Sequence, residues 1–433
     1  MQITKGFKYR IYPNKKQQEI INHQCFIYNQ VYNICLNLQQ EQWNKNKDLD
    51  KKDRKYMRAS EIDERVRNAL KQRDLSFKSV VAQQARVNAS RALMQALKDK
   101  NKGFPRFKNS KIAKQSFNWT NQGYQIKEHS NPKYRVFHLM SLPMLMKYHR
   151  ELPQEHKVNQ ITISKSNDKY YVSFSVSYNI DKEPMSSDEI ESVLGVDLNI
   201  NDIALSNGDL IKTNSKVFSY LKYNKAFKVL QRKQSRRLLK SKKEKTKLST
   251  NFRKTQNKLN KIYERSGNLK KDSYHKISTN LTREFDLIVV ENLQVKNMTK
   301  RAKLNNVKAK SGLNKSILDT SFYQFLQMLK YKQEQNGKFF LKVNPQYTSK
   351  ACSVCGCVKD NLTLRDREYL CDECGNVLHR DTNAALNILK RGLESFGLGI
   401  SLEDYKLKAF RVSWEYSVLV RKPPLKEAEV IHF

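Results

Sequence analysis

Four cysteines near the C-terminal end of the chain have the spacing of a zinc site. Cys352 and Cys355 form one Cys-x2-Cys pair, Cys371 and Cys374 form a second, and fifteen residues separate the two pairs. A glycine directly follows each pair, as in the tight turns that present thiolates to a metal ion. Four thiolates bind Zn²⁺ tetrahedrally and leave no open coordination position. The spacing therefore predicts one structural zinc ion, with Cys357 as a surplus thiol.

Three carboxylates lie where catalytic acids are expected. Asp197 interrupts the apolar strand "VLGVDLNI", Glu291 ends the apolar run "DLIVVE", and Asp381 opens "DTNAALNILKRG", a helical pattern with Gly392 as its C-cap. Burying a carboxylate is costly without a partner, and ligand sites collect at the carboxyl ends of parallel strands. If the three acids converge, they can hold two Mg²⁺ ions, or Mn²⁺, for phosphodiester hydrolysis.

Each of these acids also has a simpler interpretation. The first could pair with an arginine, the second could begin a loop, and the third could only cap its helix. Asp202, Asp209 and Asp286 are interpreted as turn or surface residues. What favours a site is the joint setting of the three: first strand, later buried strand and helix start.

The composition indicates a polyanionic partner. The 433 residues carry 82 Lys and Arg against 42 Asp and Glu, a formal net charge of +40. Such self-repulsion is relieved by nucleic acid, with a membrane surface as the alternative. No run approaches the roughly 18 apolar residues of a spanning helix, and the basic N-terminal segment lacks the apolar core of a signal peptide. Seven cysteines, four of them in metal spacing, indicate a reducing compartment, and we expect a cytoplasmic protein without membrane contact.

A long basic segment is the predicted nucleic-acid surface. Between Lys222 and Lys254 there are fourteen Lys and Arg and a single acid, Glu244. A solvated charge run is the alternative, but such runs usually mix signs. One partly buried seam is expected from Phe227, Leu230, Leu238, Leu239 and Leu248. The predicted phosphate contacts are Lys225, Lys228, Arg232, Arg236, Arg237 and Lys240, with Arg106 and Lys108 from "GFPRFKNSK". Base stacking or core packing is open for Tyr9, Tyr12, Phe104, Phe107, Phe117 and Trp119.

Hydrophobic periodicity changes along the chain from strand to helix and back. A strand at 2–12 ends at Pro13, helical patterns follow to about residue 100, and "QITISKSNDKYYVSFSVSYNI" predicts a hairpin that turns at Asn167-Asp168. After a linker near residues 184–187, two strands precede a helical stretch at 217–283, a helix at 316–335 and the strand "KFFLKV". The first strand and the later β region are expected to close one barrel, with the helices as an insertion.

Several segments together resemble a known family. They are "GFKYRIYPNKKQ", "GFPRFKNSKIAKQSF", "GVDLN", "IVVENLQVKNM", "VNPQYTSKACSVCG" and "CGNVLHRDTNAALNIL". These segments, from residue 3 to about 390, resemble the TnpB proteins of bacterial insertion sequences, which are RNA-guided DNA endonucleases related to the type V CRISPR effectors. The resemblance departs at Asn199, where many relatives have glycine, and at His379, where an acid is often found.

The resemblance implies a multidomain α+β and α/β fold with an oligonucleotide-binding-type barrel, an inserted helical recognition domain and a RuvC nuclease of the RNase H fold. A zinc ribbon is inserted into that nuclease. The implied bounds are 1–15 and 104–185 for the barrel (wedge) domain, 16–103 for the recognition domain, 190–348 and 377–395 for the nuclease, 349–376 for the zinc ribbon, and 396–433 for a C-terminal tail.

The resemblance also assigns roles. Asp197, Glu291 and Asp381 become the Mg²⁺-binding triad, and Arg380 a neighbouring active-site residue. The implied partners are a guide RNA from the transposon end and double-stranded target DNA beside a short motif that the protein reads, with a monomer favoured over a homodimer. A miniature type V-F CRISPR effector with a CRISPR RNA, and a non-cleaving RNA-guided repressor, are the alternatives.

Overall fold

The computed structural model describes residues 1–50, 52–99, 102–109, 115–213, 218, 220–302, 306–363, 366–397 and 420–421. The chain divides into two compact units, Met1–Asp181 and Lys182–Phe433. Most of the predicted C-terminal tail lies outside the described residues. Within those residues, every helix is too short or too polar to cross a membrane.

The first unit is an antiparallel sheet with three helices inserted after its first strand. Its elements are β1 (Gln2–Tyr12), α1 (Lys15–Asn46), α2 (Ala59–Lys71), α3 (Ser79–Lys98), β2 (Ser116–Trp119), β3 (Tyr124–Lys127), β4 (Tyr134–Leu139), β5 (Leu142–Lys147), β6 (Lys157–Ser166) and β7 (Lys169–Asn179). The strand order is β2-β6-β7-β1-β5-β4-β3. The N-terminal strand therefore lies inside the later β region, as predicted, and the β6–β7 turn contains Asn167 at a φ of 52°.

Burial distinguishes base stacking from core packing for the six aromatic residues named above, all of which lie in this unit. Tyr9, Phe117 and Trp119 are core residues. Tyr9 donates its hydroxyl to the Arg150 carbonyl and Trp119 donates its indole N–H to the Gln122 carbonyl, so base stacking is excluded for these three. The other three are exposed: Tyr12, Phe104 and Phe107. The helices also bury Cys25 and Cys35.

The second unit is built around a mixed sheet. A 3-10 turn at Ser187–Glu189 precedes β8 (Val193–Leu198), β9 (Asp202–Leu205), β10 (Leu210–Lys212), α4 (Tyr220–Tyr223), α5 (Lys225–Lys243), α6 (Thr250–Glu284), β11 (Leu287–Glu291), α7 (Val295–Met298), α8 (Val307–Thr320), α9 (Phe322–Gln335), β12 (Phe339–Val343), β13 (Glu368–Leu370), β14 (Val377–His379), α10 (Arg380–Phe396) and β15 (Val420–Arg421). The order is β12-β11-β8-β9-β10-β15, while β13 and β14 form a separate hairpin. Strands β8, β11 and β12 are parallel, and β9 and β10 pair antiparallel. The single helix predicted at 316–335 is instead two helices, because Ser321 adopts a left-handed φ of 58°.

Helices cover both faces of this sheet. Leu194, Val196 and Ile288 on one face pack with apolar residues of α6, α8 and α9. Val193 and Val289 on the other face pack with apolar residues of α10. Since β8 and β11 are buried throughout, their sequences are almost wholly apolar, as parallel strands between two helix layers require.

Two glycines bring α10 close to the sheet. A Cβ at Gly195 would lie 2.1 Å from the Ala385 carbonyl oxygen, and a Cβ at Gly392 would lie 2.4 Å from Val289 Cγ2. The prediction of Gly392 as a C-cap was therefore wrong. The helix continues to Gly397, which has the left-handed φ of 72° that ends many helices.

Candidate functional site

The sheet register brings the three predicted acids together. Val290 of β11 pairs in parallel with Val196 of β8, so Glu291 and Asp197 are the next residues on neighbouring strands. Side chains alternate along a strand, which puts both acids on the face that α10 covers. Asp381 lies in the first turn of α10, and all three side chains are nearly buried.

Two of the acids have raised pKa values. Burial, then the charges of Glu291 and Asp381, raise the pKa of Asp197 to about 8. Burial also raises the pKa of Glu291, although a hydrogen bond from Thr348 opposes the shift. Asn199, the departure from the family pattern, donates its amide to Asp197 Oδ2 at 3.0 Å.

The chemistry of these side chains suits a divalent cation. Among the described residues, Asp381 Oδ2 is a buried carboxylate oxygen without a hydrogen-bond partner. Buried acceptors are rarely left unpaired, and hard cations prefer carboxylate oxygens. The interpretation of Asp381 as a helix cap was wrong, because His379 occupies the N-cap position.

Two further charged residues belong to the site. Burial and then the charge of Asp381 raise the pKa of Asp202. The sequence predicts this residue only as a turn or surface acid. Arg367 Nη1 lies 3.8 Å from Asp381 Oδ2. Arg380 instead donates to the Thr363 carbonyl at 2.7 Å. Arg367 thus lies beside Asp381 and the charge of Arg391 acts on Glu291, and nothing in the sequence setting of Arg367 marks it.

The four predicted zinc ligands converge. Their Sγ atoms all lie within 4.8 Å of one another, which among the described residues is true of no other group of three or more His, Cys, Asp or Glu. Cys352 and Cys374 Sγ are 3.7 Å apart, and Cys355 and Cys371 Sγ are 3.5 Å apart. Tetrahedral Zn–S bonds of about 2.3 Å place sulfurs about 3.8 Å apart. Cys357 lies outside the group, so the cluster suits one structural zinc ion.

Backbone turns present these thiolates. Gly356 N donates to the Cys352 carbonyl at 3.0 Å, and Gly375 N donates to the Cys371 carbonyl at 3.1 Å. Both glycines have positive φ, 79° and 66°, which other residues rarely adopt. Backbone N–H groups of Cys374 and Glu373 lower the pKa of Cys371 to about 7, favouring the thiolate that binds metal.

The basic segment forms a helical hairpin. Phe227 of α5 packs edge-on against Tyr263 of α6, with ring centroids 5.2 Å apart. Arg237 donates to the Asn251 carbonyl at 2.7 Å, so this predicted phosphate contact joins the two helices. The other five predicted cations of the hairpin are exposed: Lys225, Lys228, Arg232, Arg236 and Lys240. The predicted seam was wrong for two residues, Leu239 and Leu248, which are exposed.

The two predicted phosphate-binding cations of the first unit differ in their exposure. Arg106 is exposed. Lys108 Nζ lies 4.2 Å and 4.0 Å from the ring centroids of Tyr28 and Tyr32, and burial lowers its pKa to about 8. Lys108 therefore stabilises the packing of its own unit.

Three family models match the chain. They are a helix-turn-helix domain of the OrfB IS605 type at residues 1–48, the OrfB IS605 "Probable transposase" family at residues 175–302, and the Cas12f1-like TNB domain at residues 322–388. The last match contains the cysteine cluster. In this structure, residues 1–48 are one strand and one helix.

Relatives match over most of the chain. "Putative RNA-guided DNA endonuclease InsQ" of Escherichia coli (strain K12) is 32% identical over 322 residues, 70% of this chain and 74% of InsQ. A Streptomyces pristinaespiralis protein described as a "Putative RNA-guided DNA endonuclease" is 27% identical over 407 residues, 92% of each chain. A Cas12f1 chain, solved by cryo-EM with sgRNA and target DNA, has a TM-score of 0.52 at 15% identity and covers 89% of this chain and 98% of its own. That likeness concerns the fold alone.

The mixed α/β fold is thus of the Cas12f effector type. The chain belongs to the TnpB family of insertion-sequence proteins.

Proposed function

We propose that this protein is an RNA-guided DNA endonuclease of a transposable element. A guide RNA pairs with one strand of target DNA beside a short motif that the protein reads, and the acid site hydrolyses phosphodiester bonds. The observation that carries the proposal is the buried set of Asp197, Glu291 and Asp381, with a carboxylate oxygen of Asp381 that accepts no hydrogen bond and suits a cation. Two relatives that match over most of this chain support it, because both are described as a "Putative RNA-guided DNA endonuclease".

The topology supports a RuvC nuclease of the RNase H fold in the second unit. Strands β8, β9 and β10 pair antiparallel in that order. Strand β11 then pairs in parallel with β8, and β12 pairs in parallel with β11. In the first unit, the seven-stranded sheet with helices inserted after β1 supports the wedge barrel and recognition domain. We keep the domain bounds inferred from the sequence as part of the proposal.

The side chains divide the chemistry between them. Divalent cations bound at the acids, two Mg²⁺ or Mn²⁺ ions, would supply an activated water and stabilise the leaving oxygen. Asp197, with its pKa near 8, must release its proton before it can ligate. Asn199 orients the Asp197 carboxylate, and Arg367 adds positive charge beside Asp381. The cysteine cluster holds one structural zinc ion.

The basic hairpin is the proposed surface for the guide RNA backbone. Its exposed cations, Lys225, Lys228, Arg232, Arg236 and Lys240, would neutralise phosphates, so that binding should weaken steeply with salt. Exposed Arg106 is a further candidate. Arg237 and Lys108 act within the protein and support these surfaces indirectly. We propose a cytoplasmic monomer.

The test begins with the RNA. The protein is co-expressed with the flanking DNA of its element, and the RNA that copurifies is sequenced. That RNA then programs cleavage of a plasmid library with random flanks in Mg²⁺. Asp197→Asn is compared with Asp360→Asn, an acid of the zinc module whose side chain is 89% exposed.

Guide-matched cutting that Asp197→Asn abolishes and Asp360→Asn keeps is the expected result, and the flanks of the cut plasmids reveal the motif. Guided binding without cutting would favour the repressor. A CRISPR-derived RNA on a homodimer would favour the type V-F effector. The absence of any specific RNA would refute the proposal.

A further inference from the structure

Thr348 contacts one of the proposed metal ligands directly. It lies in the turn after β12, is 1% exposed, and its Oγ1 is 2.5 Å from Glu291 Oε1. The Pro345 carbonyl oxygen lies 3.1 Å from the same hydroxyl. A hydroxyl has one hydrogen to donate, and the closer, charged acceptor takes it. The threonine hydroxyl therefore donates to Glu291.

Helix α10, which carries Asp381, holds this threonine in place. Asn387 of α10 donates its amide to the Thr348 carbonyl at 2.9 Å and to the Ala351 carbonyl at 2.7 Å. Asn387 is itself 7% exposed. The turn needs such support, because Tyr347 has a left-handed φ of 61° that is unfavourable for a residue other than glycine.

Three polar residues of α10 are spaced four apart: Asn383, Asn387 and Arg391. We name these three residues the polar ladder. Asn383 Nδ2 donates to the Ala351 carbonyl at 2.8 Å, and Arg391 Nη1 donates to the Asn344 carbonyl at 2.8 Å. Residues four apart lie on one face of a helix. The polar ladder thus fixes the whole segment between β12 and the zinc module against the helix that carries Asp381.

We propose that Thr348 is a positioning residue for the nuclease site, whose hydroxyl orients the Glu291 carboxylate for metal binding while Asn387 fixes the threonine. The inference rests on the proposed function. Groups that orient metal ligands typically contribute 10- to 100-fold to metal affinity or activity. Thr348 does not itself bind the cation or the substrate.

The experiment compares Thr348→Ala with Thr348→Ser, which differ only by the hydroxyl. Ser349→Ala, at the next and half-buried position, is the neighbouring hydroxyl control. Mn²⁺ binding to the zinc-loaded protein is measured by electron paramagnetic resonance without RNA or DNA. Guided cleavage is then measured across Mg²⁺ concentrations, and guided DNA binding in EDTA.

We expect Thr348→Ala to weaken Mn²⁺ binding and raise the half-saturating Mg²⁺ concentration about 10-fold. Thr348→Ser and Ser349→Ala should stay within about 2-fold of wild type, and DNA binding in EDTA should not change, because only the metal site is altered. At saturating Mg²⁺ the cleavage rate of Thr348→Ala should largely recover. A purely structural role would not give this separation.

Equal Mn²⁺ binding by Thr348→Ala and Thr348→Ser would overturn the inference while leaving the nuclease proposal intact. A wild-type protein that neither binds Mn²⁺ nor cuts would instead refute the proposed function. Melting temperature and zinc content report on folding. If Thr348→Ala does not fold, Thr348→Val replaces it, and failure of both while Thr348→Ser folds would assign the hydroxyl to folding and overturn the inference.

Discussion

Asp197→Asn should stabilise the metal-free protein while it abolishes cutting. Burial and the neighbouring acids Glu291 and Asp381 raise the pKa of Asp197 from 3.8 to about 8. The folded state therefore holds a proton that the unfolded state has already released at neutral pH. Asparagine has nearly the same shape, stays neutral at every pH, and keeps an oxygen that can accept from Asn199.

The sign and magnitude follow from linkage. Below pH 3.8 the aspartate is protonated in both states and costs nothing, and between pH 4 and pH 8 stability falls as pH rises. Each pH unit in this window costs about 1.4 kcal/mol. The advantage of Asp197→Asn is thus about 2 kcal/mol at pH 5 and about 4 kcal/mol at pH 7. For a unit of this size, the pH 7 value corresponds to a melting temperature higher by about 10 °C.

Differential scanning calorimetry in EDTA at pH 5, 6 and 7 measures this directly, with Asp360→Asn as the exposed-acid control. The difference between Asp197→Asn and wild type should widen with pH, whereas the control should follow wild type. Added Mg²⁺ should raise the melting temperature of wild type and of Asp360→Asn but not that of Asp197→Asn, because the full ligand set needs an ionised Asp197. A pH-independent difference, or a destabilised Asp197→Asn, would refute the placement of Asp197 among buried acids.

Two further predictions use matched pairs. Gly195→Ala should destabilise the second unit by about 3 kcal/mol, because its Cβ would lie 2.1 Å from the Ala385 carbonyl oxygen. Gly267→Ala, in the open middle of α6, should stabilise by about 0.5–1 kcal/mol; urea unfolding measures both, and similar effects would contradict the close helix–sheet contact. Cys371→Ser should lose the single zinc ion found by elemental analysis while Cys357→Ser retains it, and equal zinc contents would show that the ligand set is wrong.

The acids could be predicted because their sequence setting is restrictive. Asp197 interrupts and Glu291 ends a run of apolar residues typical of a doubly covered strand, and parallel register then makes them neighbours. The cysteines could be predicted because two Cys-x2-Cys turns with following glycines have few other uses. In both cases local pattern and chemistry lead to the same residues.

Residues that reach the site from elsewhere could not be predicted. Arg367 approaches Asp381 only because the β13–β14 hairpin returns the chain to α10 in one register. Gly392 was predicted as a helix end because glycine commonly ends helices. The contact with Val289 that requires a glycine at this position is long-range, so the local sequence does not show it. Arg237 looked like its exposed neighbours in α5, since the sequence of a basic helix does not show which cation faces the partner helix.

The inserted segment between β12 and α10 contributes to the acid site at two points. Thr348 reaches Glu291 just after the chain leaves the sheet, and Arg367, which precedes β13, reaches Asp381. The polar ladder of α10 fixes the first of these points, while the β13–β14 pairing, next to the cysteine cluster, fixes the second. An insertion that only added a nucleic-acid surface could be attached through any exposed loop of the nuclease. Its position here, with one residue on each of two proposed metal-binding carboxylates, favours a module that also sets the geometry of the site.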